Sequence, residues 1–203
     1  MLLIASMHLT TFPPAVLAAV LSACATEPVL LNSERIEHRF GSYGIEVLAS
    51  EAGLRRSSLY SLEGDLPTCR TYAVVRFVDQ LDDHYREEHA KVLAGNSIGA
   101  IFRSHGWDVH KQTIYIGSLA LPADSTSIAD LMRITGPRDL AMHVYQLLLV
   151  RNEHSFEYAT IIETHHPEYL SENDLHELYE YDPTTATSPG IISDIATLVL
   201  REE

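Results

Sequence analysis

Basic residues are scarce in this sequence. Lysine and arginine together number 14 against 28 aspartates and glutamates, so the chain of 203 residues has a formal net charge of -14 at pH 7. Binding to a phosphate backbone needs a basic patch, and the longest basic run is Arg55-Arg56. We therefore expect no nucleic-acid partner. Anionic lipid headgroups also repel an acidic domain, so membrane contact is expected through an anchor rather than a charged face.

Cysteine is rarer still, with only Cys24 and Cys69 in the chain. A chain of this length buries enough apolar surface to fold without disulfides or a structural metal. Hydrophobic residues make up 46% and charged residues 21% of the sequence, which is typical of a globular protein and not of a disordered one. The length favours one domain, with room for a short tether.

Known catalytic signatures are absent as well. The sequence has no Gly-x-Ser-x-Gly elbow, no Walker loop, no His-Glu-x-x-His and no Cys-x-x-Cys. Residues 95–99 (GNSIG) are glycine-rich, but no Lys-Ser/Thr follows them and no predicted strand precedes them. This segment therefore favours a break between two helices over a phosphate-binding loop. We predict no cofactor.

Charge is missing altogether from the start of the chain, since every Asp, Glu, Lys and Arg lies from Glu27 onward. Within this stretch, residues 12–21 (FPPAVLAAVL) form a compact apolar run. The run has the length of a signal-peptide core and is short for a transmembrane helix, which needs about 20 apolar residues. It ends in Leu21-Ser22-Ala23-Cys24, where small residues precede a cysteine.

The segment Leu21-Ser22-Ala23-Cys24 resembles the lipobox of bacterial lipoproteins, Leu-(Ala/Ser)-(Gly/Ala)-Cys. The resemblance implies diacylglycerol on the Cys24 thiol, cleavage between Ala23 and Cys24, and acylation of the new amino terminus with a fatty acid such as palmitate. Two or three acyl chains anchor a protein stably. In enteric-type bacteria, a residue other than Asp after the cysteine, here Ala25, implies the outer membrane, facing the periplasm.

The resemblance divides the chain into a signal peptide over residues 1–23, a lipidated tether over 24–31 and one globular domain over 32–203. Because no Lys or Arg precedes the apolar run, an uncleaved apolar helix or the buried first helix of a cytosolic protein is the alternative. If Cys24 is acylated, Cys69 has no disulfide partner. Since Cys69 begins a strand-like run, we expect a buried thiol.

The remaining sequence alternates between patterns of period two and period 3.6. Strands are predicted over residues 43–48, 54–62, 71–78, 107–119, 140–151 and 156–165. Short helices are predicted over 33–38, over 79–106 with a break at 95–97, over 125–134, from Ser171 to Tyr179, and over 191–199, where a strand is the alternative. This order predicts an α+β fold, a mostly antiparallel sheet of about six strands with helices packed on one face.

Histidine is the most suggestive residue type, with 11 in the chain. If a hairpin turn centres on residues 153–154, His143 lies opposite or diagonal to His165, and Glu163 projects from the same face as His165. Two imidazoles and a carboxylate suit zinc. A register shift of one residue, however, separates them onto opposite faces. The pattern favours solvated histidines at a strand end, so no metal is predicted, with these three residues as the candidates.

A second polar pair, Glu88 and His89, lies on or beside the apolar face of the first helix after residue 79. A lone carboxylate there is a candidate general acid or base. The favoured alternative is a structural role, in which Glu88 pairs with a polar group such as Arg76.

These patterns predict a membrane-anchored envelope lipoprotein with a non-catalytic binding or assembly role. Its partners are the membrane, through the lipid anchor, and an envelope protein or cell-wall component. This role requires an exposed apolar or aromatic patch and no deep polar cleft. The alternative is a lipid-anchored hydrolase or metal-dependent enzyme, which requires a pocket where Glu88 or His89 meets His143, His165 or Glu163. A mechanical role in assembly is the third possibility.

Overall fold

The structure, a computed structural model, describes residues 30–51, 53–121, 126–181 and 197–199. By its internal contacts the chain divides into Met1–Leu30 and Leu31–Glu203, and every described helix and strand belongs to the second unit. The predicted signal peptide with Cys24 lies outside the described residues, as does the predicted C-terminal helix apart from 197–199, which are helical. No helix in the described part of the chain has the length and apolar character needed to span a membrane.

Helices and strands follow one another in an order close to the predicted one. The described elements are α1 (Asn32–Phe40), β1 (Gly44–Glu51), β2 (Leu54–Glu63), β3 (Leu66–Phe77), a 3-10 turn (Asp83–Tyr85), α2 (Arg86–Leu93), α3 (Ile98–Ser104), β4 (Asp108–Leu121), α4 (Thr126–Met132), β5 (Arg138–Arg151), β6 (His154–His165) and α5 (Glu172–Tyr179).

The strands form one six-stranded sheet in the order β1-β2-β3-β6-β5-β4. Every neighbouring pair is antiparallel. Two meanders, β1-β2-β3 and β4-β5-β6, therefore meet where β3 pairs with β6, in the middle of the sheet. The predicted α+β class with an antiparallel sheet is confirmed.

The two faces of the sheet carry separate cores. On the face that we call the front, strand side chains pack against residues of four helices: Ile36 of α1, Val92 of α2, Phe102 of α3 and Leu175 of α5. On the back face, Val74 and Ile162 pack against Ile128 and Met132 of α4. Most helices thus share one face, as predicted. The back face is also apolar, and α4 covers it with an apolar pair at i and i+4 spacing.

Two local signals fix the helix ends near the front face. The break predicted at residues 95–97 is present, because Gly95 has a φ of 103° and α3 starts at Ile98. The Ser171 hydroxyl accepts from the backbone N–H of Asp174, and this cap begins α5.

Cys69 is buried in the back-face core with 1% of its surface exposed, and it is a free thiol. The predicted buried thiol is confirmed. Burial raises the pKa of the thiol to about 11. Because the thiolate is the reactive form, this cysteine serves packing rather than chemistry.

Candidate functional site

A polar cluster lies buried at the middle of the front face. The register of β5 and β6 places His143 directly opposite Glu163, and Ala141 opposite His165. Residues opposite or diagonal across two antiparallel strands share a face, so both histidines and the carboxylate project to the front. All three are buried, with His143 0%, Glu163 5% and His165 1% exposed. The expectation of solvated histidines at a strand end is therefore wrong, because both side chains lie on interior strands of the sheet and not on its edge strands.

Glu163 is the negative centre of this cluster. Its Oε2 accepts a hydrogen bond of 3.0 Å from Lys111 Nζ of β4, and its Oε1 accepts one of 3.2 Å from Asn32 Nδ2 of α1. Burial raises the pKa of this carboxyl, but the attraction of the Lys111 ammonium outweighs it, so the pKa falls from 4.5 to about 2. The side chain is ionised at neutral pH.

Lys111 is the positive partner, with only 15% of its side chain exposed. Its Nζ lies 4.2 Å from the centre of the Tyr145 ring and 3.4 Å from the Tyr179 hydroxyl. Burial lowers the pKa of this lysine, but the Glu163 carboxylate and then the two tyrosines outweigh it and raise the pKa well above 10.5. The cluster therefore holds a closed ion pair with an aromatic ring against the cation.

The two histidines are neutral. His143 Nε2 hydrogen-bonds the Thr113 hydroxyl at 3.0 Å, and His165 Nδ1 hydrogen-bonds the Thr71 hydroxyl at 2.9 Å. Burial and then repulsion by Lys111 lower the pKa of His143 from 6.5 to about 2. Burial lowers the pKa of His165 from 6.5 to about 4, despite the Glu163 carboxylate. Among the described residues, the second ring nitrogen of each histidine has no hydrogen-bond partner.

The arrangement does not resemble a metal centre. Within the described ranges, no group of three or more His, Cys, Asp or Glu side chains is placed to hold a metal ion. Lys111 and Asn32 already bind the two oxygens of Glu163. The structure thus brings His143, Glu163 and His165 to one face, but it gives their carboxylate an ammonium partner.

Glu88 and His89 belong to a different polar group. Glu88 Oε1 accepts from Trp107 Nε1 at 3.1 Å and lies 4.0 Å from an Arg151 nitrogen. His89 Nδ1 hydrogen-bonds the Tyr158 hydroxyl at 2.8 Å. Both side chains are satisfied within the aromatic core under α2. These contacts support the structural role that the sequence favoured. The partners of Glu88 are Trp107 and Arg151, however, and not Arg76 as expected.

A cleft opens on the front face beside the Lys111–Glu163 pair. It has about 590 Å³ of free space, counted with its open mouth. Its walls come from α1, the start of α3 and all six strands: Leu31, Asn32, Ser33, Ile45, Arg55, Ser57, Leu59, Ala73, Val75, Ser97, Ile98, Gly99, Val109, Lys111, Tyr145, Leu147, Ile161 and Glu163. Most of these residues are apolar.

Besides Glu163, three residues of this cleft have a charged or amide side chain, and sequence reasoning missed all three: Asn32, Arg55 and Lys111. Asn32 directly precedes the helix predicted over 33–38, and Arg55 was noted only as part of a short basic run. For Lys111, the available signal was its position two residues after Val109, because residues two apart on a strand share a face. Both side chains are on the front face of β4. Comparison of the sequence with protein-family models and with curated proteins found no match.

Proposed function

We propose that this protein is a lipid-anchored component of the bacterial envelope whose globular domain binds a small amphipathic molecule without transforming it. The cleft on the front face carries this proposal, because it combines apolar walls with a few polar groups at fixed positions. Such a lining suits a ligand with an apolar body and a polar group.

The protonation states of the buried cluster favour binding over catalysis. Lys111 stays protonated, Glu163 ionised and both histidines neutral across neutral pH, given the directions of their pKa shifts. A general acid or base works best with a pKa near the working pH. The alternative of an anchored hydrolase also needs Glu88 or His89 in this cleft, and their contacts are with Trp107, Arg151 and Tyr158.

The anchoring part of the proposal rests on the sequence Leu21-Ser22-Ala23-Cys24. It places the lipid on Cys24 and the domain on the periplasmic side of the outer membrane. We expect the native protein to lack residues 1–23 and to carry acyl mass on Cys24, and we expect Cys24→Ser to abolish that mass. Intact mass spectrometry and detergent partitioning of both proteins test this. A native chain that retains Met1 and has no acyl group contradicts the anchor.

The binding part is tested by filling the cleft. Ala73 lies on its floor, between Ser57 on β2 and Glu163 on β6. We expect Ala73→Leu to release a small molecule that copurifies with the native protein, because the larger side chain occupies the ligand's space. Mass spectrometry of solvent extracts from the two purified proteins measures this.

The matched control is Ala90→Leu, which makes the same chemical change at an exposed position of α2. Its extract should equal that of the native protein. The proposal of a ligand-binding cleft fails if Ala73→Leu, shown by circular dichroism to be folded, retains the same extract as the native protein, or if neither extract contains a bound molecule.

A further inference from the structure

Arg55 is a buried cation in the wall of the cleft. Only 1% of its surface is exposed. Its Nη1 donates to the carbonyl oxygens of Val92 and Asn96 at 2.9 and 3.1 Å, and its Nε donates to the Ser57 hydroxyl at 2.9 Å. These contacts fix the guanidinium at one place on the front face.

Within the described part of the chain, no carboxylate forms an ion pair with Arg55. Two other buried cations do have such a partner, since Lys111 pairs with Glu163, and Arg70 pairs with Glu63 and Glu168. Arg56, on the back face, resembles Arg55 in that it bonds a hydroxyl and a carbonyl and has no ion pair among those described. An arginine remains protonated in a protein, and a buried charge is costly unless an opposite charge accompanies it. Carbonyl dipoles offset only part of this cost.

The charge of the cleft is opposite to that of the whole protein. Its lining holds two cations, Arg55 and Lys111, against one carboxylate, Glu163, so it keeps one uncompensated positive charge. The chain as a whole has a net charge of -14. Because Lys111 and Glu163 neutralise each other, the uncompensated charge is that of Arg55.

The sheet register places an apolar path beside this charge. One row runs from Arg55 on β2 through Val75 on β3 and Ile161 on β6 to Tyr145 on β5. With strands spaced about 4.8 Å apart, the row is about 14 Å long. The Ser57 hydroxyl lies beside the charged end and also lines the cleft.

We infer that the ligand of the cleft is a monoanionic amphiphile, a carboxylate with one extended apolar chain, whose anionic group pairs with the Arg55 guanidinium while its chain lies along Val75 and Ile161. This inference rests on the proposed binding function and names its ligand class. Ser57, Val92 and Asn96 already accept from Nε and Nη1 of Arg55, so Nη2 is the remaining donor. A charge-assisted hydrogen bond from Nη2 to the carboxylate holds the headgroup, and the apolar row buries the chain.

The experiment compares three probes with the same hydrocarbon chain and different headgroups: dodecanoate, dodecanol and dodecyltrimethylammonium. Isothermal titration calorimetry measures their binding to the full-length chain carrying Cys24→Ser, so that no acyl group of the protein competes. We expect dodecanoate to bind at least about tenfold more tightly than dodecanol, because a charge-assisted hydrogen bond contributes that much or more. Dodecyltrimethylammonium should bind most weakly.

In the same protein, Arg55→Met should lower the affinity for dodecanoate to that of dodecanol and leave the dodecanol affinity unchanged. The matched control is Arg56→Met, since Arg56 is the neighbouring buried arginine and bonds the Tyr72 hydroxyl on the back face. It should keep the preference for dodecanoate.

The binding function of the cleft and the role of Arg55 in selecting an anionic ligand can be contradicted separately. Equal binding of all three probes overturns the role of Arg55 and leaves the ligand-binding cleft standing. If Arg55→Met lowers the affinities for dodecanoate and dodecanol equally, the role of Arg55 is also overturned. Absence of binding by every probe overturns the inference, while the binding function is judged by the copurified ligand and Ala73→Leu. If Arg55→Met does not fold, the headgroup comparison on the unsubstituted site decides the inference.

Discussion

Replacing Lys111 by methionine is expected to destabilise the fold by about 3–5 kcal/mol, the typical cost of leaving a buried charge without its partner. Glu163 is 5% exposed, and Lys111 supplies its only cationic contact among the described ion pairs. Methionine retains most of the aliphatic chain of lysine and removes the ammonium, with its charge and its hydrogen bonds to Glu163 and Tyr179. Urea unfolding at pH 7, followed by circular dichroism, measures the change in the free energy of unfolding.

Two variants separate this charge effect from packing. Adding Glu163→Gln to Lys111→Met should restore most of the stability, because an amide in place of the carboxylate removes the uncompensated charge. Arg86→Met, which breaks the exposed pair between Arg86 and Asp83 on the surface, should change the unfolding midpoint very little. The interpretation of the buried pair is wrong if Lys111→Met behaves like Arg86→Met.

Stability is expected to fall steeply as the pH decreases from 6.5 towards 4. The pKa of His165 is lowered from 6.5 to about 4, and that of His143 from 6.5 to about 2. In this window the unfolded chain binds protons that the folded chain does not, so acid favours unfolding. The slope is about 1.4 kcal/mol per pH unit for each histidine.

Glu163 adds to the loss at lower pH. In the folded protein its pKa is about 2, below the ordinary 4.5. Its contribution to the free energy of unfolding is therefore complete above pH 4.5 and decreases as the pH falls towards 2. The free energy of unfolding, measured in urea at several pH values between 7.5 and 4.5, gives the slope. The double variant His143→Gln, His165→Gln should flatten it, whereas His154→Gln, at an exposed position, should not. An unchanged slope in the double variant refutes the assignment.

Much of the secondary structure could be predicted because its causes are local. The break at residues 95–97 follows from a glycine with positive φ, and the start of α5 follows from the hydroxyl of Ser171. The strands follow from runs of β-branched and aromatic residues. The α+β class follows from their order. None of these inferences needs a contact between distant residues.

The register of the hairpin shows where local reasoning stops. The sequence placed a turn near residues 152–155, and the structure has Arg151 paired with His154 across Asn152-Glu153. If the register set by this turn continued unchanged along the hairpin, His143 would pair with Ile162. The register shifts by one residue between Leu147 and Leu148, which leaves Tyr158 unpaired and moves Glu163 opposite His143.

A second shift of this kind, between Thr113 and Tyr115 of β4, brings Lys111 to the same face. A bulge adds one residue to one strand and exchanges the faces of everything beyond it. Tyr158 lies in the aromatic core under α2, where its hydroxyl meets His89. The choice of bulge therefore depends on packing with residues far away in the chain.

The sequence by itself determined the strands and helices, the acidity of the chain, the buried thiol of Cys69 and the expectation of an anchor at Cys24. Only the tertiary structure decided that Asn32, Lys111 and Glu163 meet, since they come from α1, β4 and β6. It also decided that Arg55 lines an apolar cleft. The physical reason is that period-two patterns fix alternation along a strand, whereas bulges and packing fix which face each residue joins.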